Sequence, residues 1–159
     1  MCQFKNLVVL FLIIVSCSEN KIISLESSNF KASSLSEYLN DETLNIQLLD
    51  SSSIELFNSW NQIIMITSKF NSFDLKKIDH KSVISSIKQD LEKITTNNIP
   101  PLFNRPEIIG RLRVLKTFVY KIDSYNLNYE NIEMYKSDLR FMFSSYDALV
   151  SKMNSIDFD

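Results

Sequence analysis

The chain has 159 residues and a single histidine, His80, so any reaction that needs an imidazole base must use that side chain. A nucleophilic serine would need a sharp strand-to-helix elbow of the G-x-S-x-G kind. The one glycine is Gly110, and no such turn occurs. Di-iron centres in helical bundles need Glu-x-x-His on two helices, and there is no second histidine to supply one. The C-x-x-C-H attachment for covalent haem is missing as well. His80 with Met65, Met142 or Met153 is the only axial pair for a non-covalent haem, and a histidine near a helix start is ordinarily exposed or capping. The carboxylate pairs Asp90/Glu92 and Glu130/Glu133 have helix-surface spacing and read as solvated faces. Arg111 and Arg113 flank Leu112, with Lys116 and Tyr120 on adjoining turns. Their forked guanidinium groups could clamp an anion; the more usual place for such side chains is beside the core, paired with acids of a neighbouring helix. Tyr120, Tyr125, Tyr129, Tyr135 and Tyr146 crowd the last two helical stretches. They either line a pocket or pack with the ring inside and the hydroxyl at the rim. Trp60 reads as core. No catalytic, cofactor-binding or metal-ligating residue is assigned, and the expectation is a protein that is not an enzyme and carries no cofactor.

The two cysteines, Cys2 and Cys17, lead to a different chemistry. The chain starts positive, from the amino group and Lys5, and then runs through nine apolar residues, 7–15, to Ser16, Cys17, Ser18 and Glu19. That is the layout of a secretory signal. A spanning helix needs about 20 apolar residues, so this run is too short to cross a bilayer. Ile14-Val15-Ser16-Cys17 resembles a lipobox, the signal-peptidase II site of bacterial lipoproteins, with Ile where Leu is usual. The resemblance covers residues 1–20. It implies diacylglycerol on the Cys17 thiol, cleavage after Ser16, and acylation of the new amino group with a palmitate-like chain. One acyl chain holds a protein to a bilayer only marginally, whereas two or more at ~0.8 kcal/mol per buried methylene hold it firmly. Cys2 would leave with the signal, so the mature domain would have neither a free thiol nor a disulfide. In enteric-type sorting, Asp after the lipidated cysteine retains a lipoprotein at the inner membrane. Ser18 stands there, which favours the outer membrane if the cell has two. The expected location is therefore the bacterial cell envelope, with the membrane engaged through the anchor at Cys17.

Composition sets the class of the remainder. With 45% hydrophobic and 23% charged residues, the chain can bury a core. One glycine and three prolines are too few turn formers for an all-β sandwich, and they exclude a glycine-rich phosphate loop. The net charge of −2 becomes −3 once Lys5 leaves with residues 1–16, which hold no acid. That balance lacks the basic footprint of a nucleic-acid binder, so no nucleic acid is expected as a partner.

Four elements must position whatever the chain uses. Residues 18–32 read as a flexible tether. Leu35, Tyr38 and Leu39 have helical spacing, so residues 34–40 suit a short helix. Leu44, Ile46 and Leu48 alternate with polar residues, and with no partner strand this stretch reads as extended chain docked on the bundle. Ser52 with Glu55 fits a capping box, followed by a helix over about 52–70 carrying Phe57, Trp60, Ile63, Ile64 and Phe70. Asp79 suits the cap of a second helix bearing Val83, Ile84, Ile87, Leu91 and Ile94, ended by Asn97, Asn98 and the Pro100-Pro101 pair. Asn104 suits the cap of a third, with Pro106 in its first turn and Glu107 at the third position. Ile108, Leu112, Leu115, Val119 and Ile122 form its seam, and Asn126 and Asn128 mark its end. The fourth carries Ile132, Tyr135, Leu139, Met142, Tyr146, Leu149, Met153 and Ile156 at 3-4 spacing.

The expectation is all-α: an antiparallel four-helix up-down bundle over residues 51–159, a lipidated Cys17, tether and docking segment over 17–50, and a signal peptide over 1–16. The expected function is a membrane-anchored envelope lipoprotein that acts by non-enzymatic contact with an envelope protein, through an exposed apolar patch. The alternative is a bundle that binds or senses a small ligand, with a tyrosine-lined cavity between the third and fourth helices and an arginine at its mouth.

Overall fold

The computed structural model describes residues 46–51, 54–73, 80–128 and 130–156, and for Ile54, Leu56 and His80 the backbone only. Cys17, the tether, the helix expected over 34–40, Ser52, Asp79 and Tyr129 lie outside the described residues.

The described chain is all helical, with no strand: one helical turn, Ile54–Phe57, then α1 (Asn61–Asn71), α2 (His80–Glu92), α3 (Pro106–Asp123) and α4 (Ile132–Asn154). Residues 46–50 have no regular structure, and they lie along α4. The Gln47 amide donates to Asp147 Oδ1 (2.9 Å) and the Asp50 amide to Asn154 Oδ1 (3.0 Å), while Asn154 Nδ2 donates to Leu48 O (2.9 Å). Ile46 and Leu49 pack half-buried against the core.

The helix expected over 52–70 is broken. Trp60 leaves helical geometry (φ −121°, ψ 73°) and caps α1 with no side-chain hydrogen bond, while its amide donates to Phe57 O. At the break, Asn58 and Ser59 are weak helix formers, and the rings on either side of them, Phe57 and Trp60, both stack on Phe103, with centroids 5.4 and 5.5 Å apart. The cap of α3 is Arg105, not Asn104. A residue before proline is forced out of helical geometry, and Arg105 is extended (φ −114°, ψ 144°) with Pro106 in the first turn. The second helix stops at Glu92, so Ile94 falls in the loop. There Asn98 accepts from the Thr95 amide and donates to Lys93 O.

With so little glycine, the helices end on serine. Ser72, Ser124 and Ser155 are the C-caps of α1, α3 and α4. Each hydroxyl donates to the carbonyl three residues back, on Lys69, Lys121 and Lys152 respectively, meeting one of the orphan acceptors of the last turn. Those three lysines also place positive charge where the helix macrodipole is negative. Asparagines build the turn into α4: Asn128 Oδ1 accepts from the Glu130 and Asn131 amides, and Asn131 Nδ2 donates to Asn126 O.

One core runs through all four helices. The α3 seam (Ile108, Leu112, Leu115, Val119, Ile122) and the α4 seam (Ile132, Tyr135, Leu139, Met142, Tyr146, Leu149, Met153) are buried at the spacing read from the sequence. Phe70 stacks on Tyr146 (4.1 Å) and meets Phe143 edge-on (5.5 Å), which joins α1 to α4. Trp60 Nε1 is buried and has no hydrogen-bond partner among the described residues.

Candidate contact surface

Inside the molecule, ionic contacts pin neighbouring helices. Asp90 on α2 is 1% exposed, not solvated as its spacing with Glu92 suggested, and it accepts from Lys69 of α1 and from Lys93. Burial pushes its carboxyl up, and the two lysine hydrogen bonds outweigh that and hold it below the usual carboxylate range. Asp123 on α3 accepts from Lys88 (2.7 Å) and Ser85 (2.5 Å) of α2. Those bonds lower its pKa, Lys88 foremost, and the same contact raises that of Lys88. Asp138 on α4 is 4% exposed and accepts from Lys121 and Tyr125. Burial first, and then the Asp138 contact, push the Tyr125 hydroxyl up to about 12.

The structure does not bring the tyrosines to one pocket. Tyr120 donates to Glu92 (3.0 Å), Tyr125 to Asp138, and Tyr146 to Asn71 (3.4 Å). Tyr135 meets Tyr125 edge-on at 5.5 Å. The space beside Tyr125 and Tyr135, shared with Ile84, Ile122 and Asp123, is about 10 Å³, no more than a single water needs. Arg111 folds back on its own helix and donates to Glu107 O (3.0 Å). Arg113 instead borders a gap between α2 and α3 with Lys116. Among the described residues, no group of three or more His, Cys, Asp and Glu is placed to hold a metal, and no helix is long and apolar enough to cross a membrane.

Among the described residues, the large apolar side chains left exposed are Val114 on α3, Met134 and Phe141 on α4, Met65 on α1, and Leu48. Phe118 and Phe141 stack across the two helices at 5.4 Å, and Phe141 remains 54% exposed. Val114 lies one turn from Phe118 on the same face and is 48% exposed; Met134 lies two turns from Phe141 and is 59% exposed. Phe118 is half-buried against the core, whereas Val114, Met134 and Phe141 stand in water, which is unfavourable by about 25 cal/mol per Å² of apolar surface left uncovered. These residues were not singled out from the sequence. The signal was available: Val114 and Phe118 fall off the α3 seam at a spacing of four, and Met134 and Phe141 fall off the α4 seam at a spacing of seven. On a second side, Leu48, Leu49 and Ile64 border an open groove of about 500 Å³ with Thr67, Ser68 and Asn71.

No family model, curated protein or solved structure matches the chain.

Proposed function

We propose that the chain is a bacterial envelope lipoprotein, held to the membrane by lipid on Cys17, whose helical domain works by contact with another envelope protein and catalyses nothing. The anchor reading rests on the sequence Ile14-Val15-Ser16-Cys17 at the edge of a nine-residue apolar run. The contact reading is carried by one observation: the Phe118–Phe141 stack, in which Phe141 is 54% exposed, with the exposed Val114 one turn from Phe118 on α3. Large aromatic surface left exposed supports an interaction site. The arrangement we infer is an antiparallel four-helix up-down bundle. Supporting it, α3 residues 118 and 121, and Tyr125 just after α3, meet α4 residues 141, 138 and 135, which fits one helix rising as the other descends. Lys69–Asp90, Lys88–Asp123, Lys121–Asp138 and Phe70–Tyr146 then link the four helices in a ring.

The test places a photo-crosslinking amino acid at Phe141, at Val114 and, as a control on α2, at the exposed Gln89, in the full chain within intact bacteria. A discrete protein adduct from positions 141 and 114, absent from position 89 and lost in Cys17→Ala, is expected. Equal adducts from all three positions, or none from any, would overturn the reading.

A further inference from the structure

The gap beside Arg113 has a shape and charge that the contact reading does not use. It measures about 180 Å³ and lies between the end of α2, the loop after it, and α3. Its walls are Leu91, Ile94, Ile99, Ile109 and Leu112, with Thr95 and Thr96 at the edge and Arg113 and Lys116 at the mouth. Neither cation is spent on an ion pair among the described residues: Arg113 has no carboxylate partner, and Lys116 lies over the Tyr120 ring at 5.5 Å. The acid nearest Tyr120, Glu92, is engaged by the Tyr120 hydroxyl. Two of the carbonyls ending α2 are met, Asp90 O by the Lys93 amide and Leu91 O by the Ile94 amide, and in the loop Lys93 O is met by Asn98 Nδ2. Two positive groups without a carboxylate partner among the described residues therefore border a mainly apolar slot.

We propose that this slot binds a small amphiphilic anion, an alkyl or aryl carboxylate with its tail among Leu91, Ile99 and Leu112 and its carboxylate on Arg113 and Lys116. At about 180 Å³ the slot lies below the range of drug-sized pockets, which suits a short tail. Arg113 offers a fork that matches a carboxylate, and Lys116 adds a point charge three residues on. The hydroxyls of Thr95 and Thr96 complete a polar rim. This assignment does not depend on the lipid anchor or on the apolar face.

The test is photoaffinity labelling of the full chain, in whichever fraction it is recovered. The probe is a six-carbon alkyl carboxylate bearing a diazirine, beside the matching alcohol. Saturable labelling of peptides spanning residues 91–116 is expected, displaced by hexanoate at concentrations at which hexanol displaces little. The alcohol should half-saturate at a concentration at least roughly tenfold higher, the value of a hydrogen bond to a charged group. Arg113→Ala should weaken the acid by about the same factor and leave the alcohol unchanged, and Arg113→Lys should restore part of the loss. The comparison of acid with alcohol on the unaltered chain stands whether or not a variant folds. Labelling that does not saturate, that is equal for acid and alcohol, or that survives Arg113→Ala combined with Lys116→Ala would overturn the proposal.

Discussion

Phe103 lies in the loop between α2 and α3, fully buried, and carries two ring stacks, on Phe57 and on Trp60. Its truncation removes the surface that holds the broken start of the helical region. Phe103→Ala should cost about 3–5 kcal/mol, as large-to-small changes in cores do. Trp60 is the only tryptophan, so its emission reports urea unfolding directly, and an unchanged midpoint would show that the loop stack contributes nothing. Gly110 moves stability the other way. It sits in the middle of α3 with an ordinary helical backbone, and a Cβ built there meets nothing within 4 Å. Gly110→Ala should stabilise by about 0.5–1 kcal/mol through helix propensity, raising Tm by a few degrees; a lower Tm would mean that the open space at Gly110 is needed. Of these two sites, the sequence showed Gly110 plainly and hid Phe103. A lone phenylalanine after a Pro-Pro pair has no periodicity to reveal that it is core.

At the scale of elements, stability rests partly on carboxylates that titrate. Asp90 and Asp123 have pKa values held below their ordinary 3.8. A lowered carboxylate contributes stability above its unfolded value and loses that contribution as pH falls through the folded one. Tyr125 is raised from 10.0 to about 12, so its contribution is complete below pH 10 and fades as pH rises towards 12. The unfolding free energy should therefore be flat between about pH 4 and 10 and fall on both sides. Asp123→Asn should shallow the acid limb, and Tyr125→Phe the alkaline one, in urea titrations followed by Trp60; unchanged limbs in both variants would contradict these assignments. The α3 and α4 seams were legible because every third or fourth residue is apolar over several turns. The ion pairs were not, because Asp90 and Asp138 each sit beside a seam residue, Leu91 and Leu139, and only packing decides whether such a neighbour is covered. The break at Trp60 was hidden for a related reason: Phe57 and Trp60 fall on one face in either conformation. The cap at Arg105 was available from Pro106, which dictates an extended residue before it.

At the scale of the whole molecule, the proposed anchor sequence precedes a helical domain whose described part exposes the Phe118–Phe141 stack. Phe141→Glu should leave the fold intact, since the side chain is 54% exposed, with helical circular dichroism and the urea midpoint near those of the parent, yet abolish the cross-link expected from Val114. A molten or aggregated variant would place Phe141 in the core instead. The all-α class was readable from composition and periodicity together. The contact face was not, because exposed apolar residues are marked only by falling outside a seam, and Arg113 gave no sign of which helix pair it would border. The central claim is the lipid on Cys17, and intact-mass measurement of membrane-fraction protein from the full precursor tests it most directly, beside Cys17→Ala. The account predicts loss of residues 1–16 with added diacylglycerol and acyl mass, and neither change in the variant. A full-length, unmodified chain in both would contradict it, and residues 7–15 would then belong to the fold.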